Sequence, residues 1–224
     1  MHICKYFSNF AAIMRKTGRL YHFWLHFKHV LTAWNTTGEA IHSPYLFHLV
    51  RFVLRDENSF YAFAEIERTH GRLTKDERTK GRMMFRIVNF MTQHLKRPLD
   101  IVEVGEKSVL TEYLQRPDSR NRVTVIREDS LYVYARERHI DVAYIHAGFS
   151  QEQLLKMADL LLSRLTEKGV LVIDGLYESD EAQQAWRVLK ADKRVTTSID
   201  CFYAGLLFVD KHYLKRHYRV RITN

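Results

Sequence analysis

The chain has 224 residues, of which 46% are apolar and 27% charged, with nine Gly, three Pro, two Cys and a formal charge of +9. That balance is globular and excludes a long low-complexity or disordered protein, while two Cys exclude both a disulfide framework and a cysteine zinc site. The longest apolar runs, such as Ala204–Val209, fall far short of the roughly twenty residues a membrane helix needs.

The charge is unevenly placed. Residues 1–98 hold 16 Lys+Arg against 7 Asp+Glu, a balance of +9, whereas residues 99–224 hold 19 of each. A basic extension fits a surface for nucleic acid, anionic lipid or an acidic partner, or simply a solvated basic face, and no RNA- or DNA-binding motif accompanies it. Met1–Met14 lacks the apolar core of a secretory signal, and Cys4 and Cys201 stand far apart, so a cytoplasmic protein is expected.

In chain order, Leu20, Phe23, Trp24, Phe27, Leu31 and Trp34 recur at helical spacing and predict an amphipathic helix over Arg19–Trp34 with this stripe buried, in the chain's own core or against a second copy as a homodimer. His22, His26 and His29 fall on the opposite, exposed face, at a spacing that allows a transition metal but without a supporting carboxylate or Cys. Ser43-Pro44 reads as N-cap and first-turn proline of a helix over Pro44–Arg55. Phe60, Tyr61 and Phe63 lead into a short helix near Ala64–His70, and Gly71–Lys80 is the linker candidate. The expected division is therefore a helical extension over 1–78 and an α/β domain over 79–224.

From Gly81 the pattern changes. Met84, Ile87, Val88, Met91 and Leu95 mark a helix closed by Arg97-Pro98. Short β-branched or apolar runs then alternate with helical segments: Ile101–Val104, Val123–Ile126, Val142–Ile145, Val170–Ile173, Val195–Ile199 and Ala204–Val209 are the strands. The helix between the third and fourth is expected to stop at Gly169. Alternation implies a parallel sheet with right-handed crossovers. Asp200–Tyr203 is too short for a crossover, so the last two strands must be antiparallel neighbours.

A parallel sheet closed by one antiparallel hairpin, together with Phe85-Arg86-Ile87-Val88-Asn89 leading into Ile101-Val102-Glu103-Val104-Gly105, Val170-Leu171-Val172-Ile173-Asp174 and Ile199-Asp200-Cys201-Phe202-Tyr203-Ala204-Gly205, resembles the class I S-adenosylmethionine-dependent methyltransferases of the small-molecule O-methyltransferase-like branch. Ile41-His42-Ser43-Pro44-Tyr45-Leu46-Phe47 and Phe60-Tyr61-Ala62-Phe63 look like the N-terminal region of a bacterial, Bacteroidetes-type subgroup. The resemblance covers about Phe23 to Val209. It implies a Rossmann-like methyltransferase fold, S-adenosylmethionine as cofactor, and a cofactor site at the C-terminal ends of the strands.

Three departures from the family pattern bear on function. The turn after the first strand, Val104-Gly105-Glu106-Lys107-Ser108, keeps one glycine where a glycine-rich loop is expected. Arg127 stands where the family has the ribose-binding acid, and Glu128 follows one residue late, which serves only if the strand has already ended. The fifteen residues Arg127–Asp141 between Ile126 and Val142 accommodate one crossover, so the third strand is expected to be missing, with one wall of the adenine pocket. The resemblance makes Glu103, Gly105 and Glu128 the candidate cofactor-binding residues. It places His146 and Asp174 at the reaction centre, His146 as a general base, with too few carboxylates for a magnesium site. The leading expectation is a methyltransferase-like protein acting on a small-molecule acceptor. Its rivals are a catalytically inactive pseudo-methyltransferase serving as a binding or scaffold module, and a basic nucleic-acid-associated module.

Overall fold

The computed structural model describes residues 18–136 and 138–222; Met1–Met14 and Cys4, discussed above for a signal and a thiol, lie outside them. Helix α1 (Gly18–Thr32) is followed by a 3₁₀ turn (Trp34–Thr37), α2 (Pro44–His48) running into a π turn (Leu49–Val53), α3 (Tyr61–His70) and α4 (Lys75–Leu95). Then come β1 (Asp100–Val104), α5 (Leu110–Gln115), β2 (Arg122–Ile126), α6 (Glu128–Ala135), β3 (Ile140–Ile145), α7 (Gln151–Leu162), β4 (Leu165–Asp174), α8 (Asp180–Ala191), β5 (Thr197–Asp200), β6 (Ala204–Phe208) and β7 (Arg216–Arg219).

The strands form one sheet in the order β2-β1-β3-β4-β6-β5-β7. Neighbours β2-β1-β3-β4 are parallel, β6 runs antiparallel to both β4 and β5, and β7 is parallel to β5. This is a Rossmann-like arrangement, a mostly parallel sheet closed by a reversed C-terminal hairpin. Among the described residues no strand lies outside β2, because residues 127–139 hold α6 alone before the chain returns to β3 beside β1. Among the described residues the strand that the resemblance would place between β2 and β3 is therefore absent, as the short crossover requires. The chain turns left from β1 to β2 and right from β2 to β3, so the switch point lies between the C-terminal ends of β1 and β3.

Side-chain alternation divides the core. Ile101, Val142, Tyr144, Val170 and Val172 face a cluster with Leu46, Leu49 and Val50 of the α2 segment and Met84, Ile87, Val88 and Met91 of α4. Val102, Val104, Ala143, Ile145, Leu171 and Ile173 face α6, α7 and α8. All six residues of β3 are buried, as expected of a strand covered on both faces. Phe63, Ile66, Phe85 and Tyr113 form a third, aromatic cluster under α3.

Several expectations are corrected. Lys75–Lys80, part of the linker candidate, forms the first turns of α4. Thr74 caps that helix through a reciprocal box with Glu77: the Glu77 N–H donates to Thr74 Oγ1, and the Thr74 N–H donates to Glu77 Oε2 at 2.7 Å. Gly169 does not stop a helix. It lies inside β4, where an added Cβ would sit 2.9 Å from the Thr166 carbonyl oxygen and 3.1 Å from that of Ile140. Ser43 caps α2 as expected, but Leu49–Val53 widens into a π turn in which the Leu54 N–H donates to the Leu49 carbonyl. The tail adds β7 to the sheet edge.

The largest correction is the orientation of α1. Its apolar stripe faces solvent: Phe23 is 68% exposed, Phe27 53%, Leu31 68% and Trp34, just beyond the helix, 75%. The histidine face packs inward instead. His29 is buried, with Nε2 lying 3.1 Å from Asp200 Oδ1, and the rings of His22, His26 and His29 meet Phe202 at 4.7–5.5 Å. Burial alone would raise the Asp200 pKa, but the hydrogen bond and charge of His29, with donors Tyr177 and the Phe202 N–H, hold it below the ordinary value. The three histidines are hairpin contacts rather than an exposed metal face.

Candidate functional site at the ends of the parallel strands

Glu103 sits in the middle of the sheet, one residue before the end of β1, and is completely buried. An isolated carboxylate there would be very costly, and three donors meet it: Ser108 Oγ at 3.1 Å, Thr111 Oγ1 at 2.7 Å and His146 Nε2 at 2.7 Å. A carboxylate has only acceptors, so the fitting His146 tautomer carries its proton on Nε2 and leaves Nδ1 as the basic atom. The chain after β1 is thereby tied down to the core by Ser108 and Thr111.

Gly105 has φ +137°, and its N–H donates to the Ile126 carbonyl at 2.9 Å. A Cβ here would lie 2.9 Å from the His146 ring. Glycine is needed both for the backbone conformation and for the approach of His146.

Beyond β2 the strand has ended when Glu128 begins: Arg127 is the N-cap and Glu128 the first residue of α6. The one-residue slip is thus absorbed by the change from strand to helix. Glu128 and Asp129 lie in the first turn, where the helix dipole favours anions, and Glu128 Oε2 accepts from Gln153 Nε2 at 2.7 Å. Gly105, Glu106, Arg127, Glu128, Asp129 and Phe149 line a cavity of about 250 Å³. It shares Glu128 and Asp129 with a groove of about 620 Å³ between α6 and α7, lined also by Leu131, Tyr132, Met157 and Leu160.

On the other side of the switch point, Asp174 closes β4. Its Oδ1 accepts from the Gly175 N–H and from Lys80 Nζ, each at 2.7 Å, and the Tyr144 hydroxyl also bonds it. Lys80 arrives from α4 and reaches Glu178 Oε1 at 2.9 Å as well. Burial works against the ammonium, yet Asp174 and Glu178 keep its pKa above the ordinary value. Burial first, and then Asp174, push the Tyr144 phenol well up. Tyr144 stands edge-on to His146 at 5.1 Å, joining the two clusters.

The five residues singled out from the sequence are therefore divided. Glu103, Gly105 and His146 form one constellation, Asp174 belongs to a second linked to it through Tyr144, and Glu128 lies across the hollow in a third. Sequence reasoning missed Lys80, Tyr144, Glu178, Ser108, Thr111 and Phe149. Lys80 was hidden in a polar stretch taken for a linker, although the Thr74–Glu77 capping pattern was there to signal a helix start. The group of described residues with metal-like spacing, Glu167, Asp210 and His212, lies at the opposite end of the sheet, and Lys168 already bonds Asp210.

A nucleoside-based cofactor fits one half of this site. Acceptors Glu128 and Asp129, a ring at Phe149 and the adjoining groove suit a ribose and base. An amino-acid portion of such a group would meet a Glu103 already served by three donors and an Asp174 already paired to Lys80. Among the described residues, no helix is long and apolar enough to cross a membrane.

No family model and no curated protein matches the chain. Among solved structures it is similar to the SAH-bound methyltransferase PaMTH1 of Podospora anserina, at 14% identity over 67% of this chain and 88% of that one, with a TM-score of 0.45. It is also similar to the O-methyltransferase TomG of Streptomyces achromogenes, involved in tomaymycin synthesis and bound to SAM, at 13% identity over 68% and 91% with a TM-score of 0.45. A third is the MycE methyltransferase of the mycinamycin biosynthetic pathway with Mg and SAH, at 10% identity over 58% of this chain and a TM-score of 0.40; the match spans about half of MycE, 49%.

Proposed function

We propose that this chain is a class I methyltransferase-like protein that holds S-adenosylmethionine by its nucleoside half in the hollow between Gly105 and Glu128. The observation that carries this reading is the position of that hollow. It lies beside the switch point, lined by residues that follow the ends of β1, β2 and β3, with Glu128 and Asp129 on its far rim. In this reading Glu128 accepts from the ribose hydroxyls, and the base extends over Phe149 toward the α6–α7 groove. The cavity of about 250 Å³ is below the roughly 300–1,000 Å³ of ordinary ligand sites, so the base must use the adjoining groove. The proposed acceptor is a small molecule. His146 Nδ1 is the basic atom available for its proton.

A second reading, a catalytically silent binding module, is favoured by one observation: Lys80 fills the position beside Asp174 and pairs with it. Calorimetry with S-adenosylmethionine and S-adenosylhomocysteine separates the readings when joined to a methyl-transfer assay. The expected result is a Kd tighter than about 1 mM, roughly −4 kcal/mol, weakened about ten-fold by Glu128→Ala, the loss of one charge-assisted hydrogen bond of about 1.5 kcal/mol. Absence of binding to either ligand overturns both readings at this site. Binding without transfer to any of a panel of phenols, amines and thiols selects the silent module. Transfer that appears only in Lys80→Met assigns the silence to Lys80.

A further inference from the structure

The exposed aromatic side of α1 is unexplained by anything at the strand ends. Phe23, Phe27 and Leu31 of α1, with Trp34 just past its end, present an apolar stripe, 53–75% exposed, on the side opposite that held by His29 on Asp200 and by Phe202. Four large apolar side chains left in water at helical spacing need an occupant.

Two features identify that occupant. The first is charge. Residues 1–38 carry Lys5, Arg15, Lys16, Arg19 and Lys28 and no Asp or Glu. A second copy laid on this stripe brings a like-charged helix against its twin, which is unfavourable. An anionic surface is favoured by the same charges. The second is a cavity of about 230 Å³ beside the stripe, between α1 and α8, lined by Lys28, Arg187, Lys190 and Arg219. The carboxylate in its lining, Asp200, is already engaged by His29, Tyr177 and Arg219. Lys28 stands on the helix flank between the stripe and this cavity. Lys28, Arg187 and Lys190 beside this engaged carboxylate suit a phosphate. Burial is what chiefly lowers the Lys190 pKa; Asp200 pulls it up, and Arg219 and Arg187 lower it further.

We propose that α1 is an interfacial anchor: Phe23, Phe27, Leu31 and Trp34 enter the acyl boundary of an anionic membrane surface while Lys28, Arg187 and Lys190 receive a phosphate headgroup. Aromatic and aliphatic residues on one side with lysine and arginine at the border are what such helices use, and each basic residue near an anionic leaflet strengthens binding several-fold. The proposal is independent of whether the hollow at Gly105 holds a cofactor.

The test is co-sedimentation of the full chain with vesicles of phosphatidylcholine alone and of phosphatidylcholine with phosphatidylglycerol, with Trp fluorescence as a second readout. Binding is expected to the anionic vesicles, to fall as salt rises, and to be accompanied by a blue shift of the Trp emission. Phe27→Glu/Leu31→Glu should abolish it. Both positions are exposed, so the double variant should keep the wild-type circular dichroism. Arg187→Gln/Lys190→Gln should weaken it by at least ten-fold while leaving the stripe intact. Equal binding to neutral vesicles, or none to either, overturns the proposal. So does a concentration-dependent dimer that only Phe27→Glu/Leu31→Glu dissolves, which gives the stripe to a second copy. Salt-dependent binding to a short RNA without vesicle binding would assign the basic residues to nucleic acid and equally overturn it.

Discussion

At the scale of single residues, two physical effects compete at Gly81, and their magnitudes decide between them. Glycine inside a helix costs about 1 kcal/mol relative to alanine, so Gly81→Ala improves α4 on propensity alone. The Cβ, however, would fall 2.4 Å from the ring of Tyr113, which is fully buried in the aromatic cluster with Phe63 and Phe85. Overpacking a dense core costs typically 1–3 kcal/mol, and a contact this short belongs at the upper end, so the substitution is expected to destabilise by up to about 2 kcal/mol net in urea titrations. Stabilisation instead would mean that α4 sits farther from α5 than described. Gly105 is a different case: its positive φ and the nearby His146 ring both demand glycine, and neither involves a ligand. Only the first of these reasons was visible in the sequence. The second depends on a residue forty-one positions away, brought beside it by the pairing of β1 with β3. The role of Glu103 was hidden for the same reason, because Ser108, Thr111 of α5 and His146 meet around it only in the folded sheet.

At the scale of elements, periodicity was a reliable guide to where the helices and strands lie and a poor guide to which way α1 faces. The stripe of Phe23, Phe27 and Leu31 has the spacing of a buried face, but Asp200 and the ring of Phe202, whose φ is +68°, offer a polar and aromatic seat that histidines fill better than aliphatic side chains. A matched pair of substitutions tests this inversion. Leu25 is 8% exposed and Phe27 53%. Leu25→Ala should cost about 2–3 kcal/mol and Phe27→Ala less than about 0.5 kcal/mol in denaturant unfolding. The opposite ranking would restore the stripe to the core. The start of α4 was legible in retrospect, since Thr74 and Glu77 form a capping box. The polar composition of Gly71–Lys80 concealed it, because the first turns of an amphipathic helix near the surface contain few apolar residues. The missing third strand was legible through chain length alone: the crossover is too short for any alternative. The edge strand β7 was not, because Arg216-His217-Tyr218-Arg219 has the composition of a tail and acquires strand geometry only by pairing with β5.

At the scale of the whole molecule, three buried aspartates tie distant segments together. Asp141 receives Arg97 in a two-point pair at 2.7 and 2.8 Å, with the Asp100 N–H and the Thr166 hydroxyl. Asp200 joins α1, α8's preceding loop and β7, and Asp210 joins Lys168 to the turn at His212. In each, burial pushes the pKa up but the donors prevail and hold it below the usual aspartate value. The folded-state values lie below the unfolded value of about 3.9, so the unfolded chain binds protons first as pH falls. The stabilisation is therefore complete above about pH 4 and is lost as pH drops through the folded values. Through these aspartates urea midpoints should not change from pH 7 to about pH 5 and should fall steeply below pH 4. A midpoint unchanged at pH 3 would mean that these pairs do not form. His26 adds a weaker slope at higher pH: burial, and then the charges of His29 and His22, lower its pKa, so protonation below about pH 6.5 favours the unfolded chain and should loosen α1 first.

The central claim is that the hollow at the β1–β3 switch point receives a nucleoside cofactor, and amide chemical-shift mapping addresses it at the residues themselves. In a ¹⁵N-labelled chain titrated with S-adenosylhomocysteine, saturable shifts are expected at Gly105, Glu106, Glu128, Asp129 and Phe149, spreading to Tyr132 and Met157 along the α6–α7 groove. Saturating ligand that leaves those amides unmoved, or moves instead a set centred elsewhere, would contradict the account.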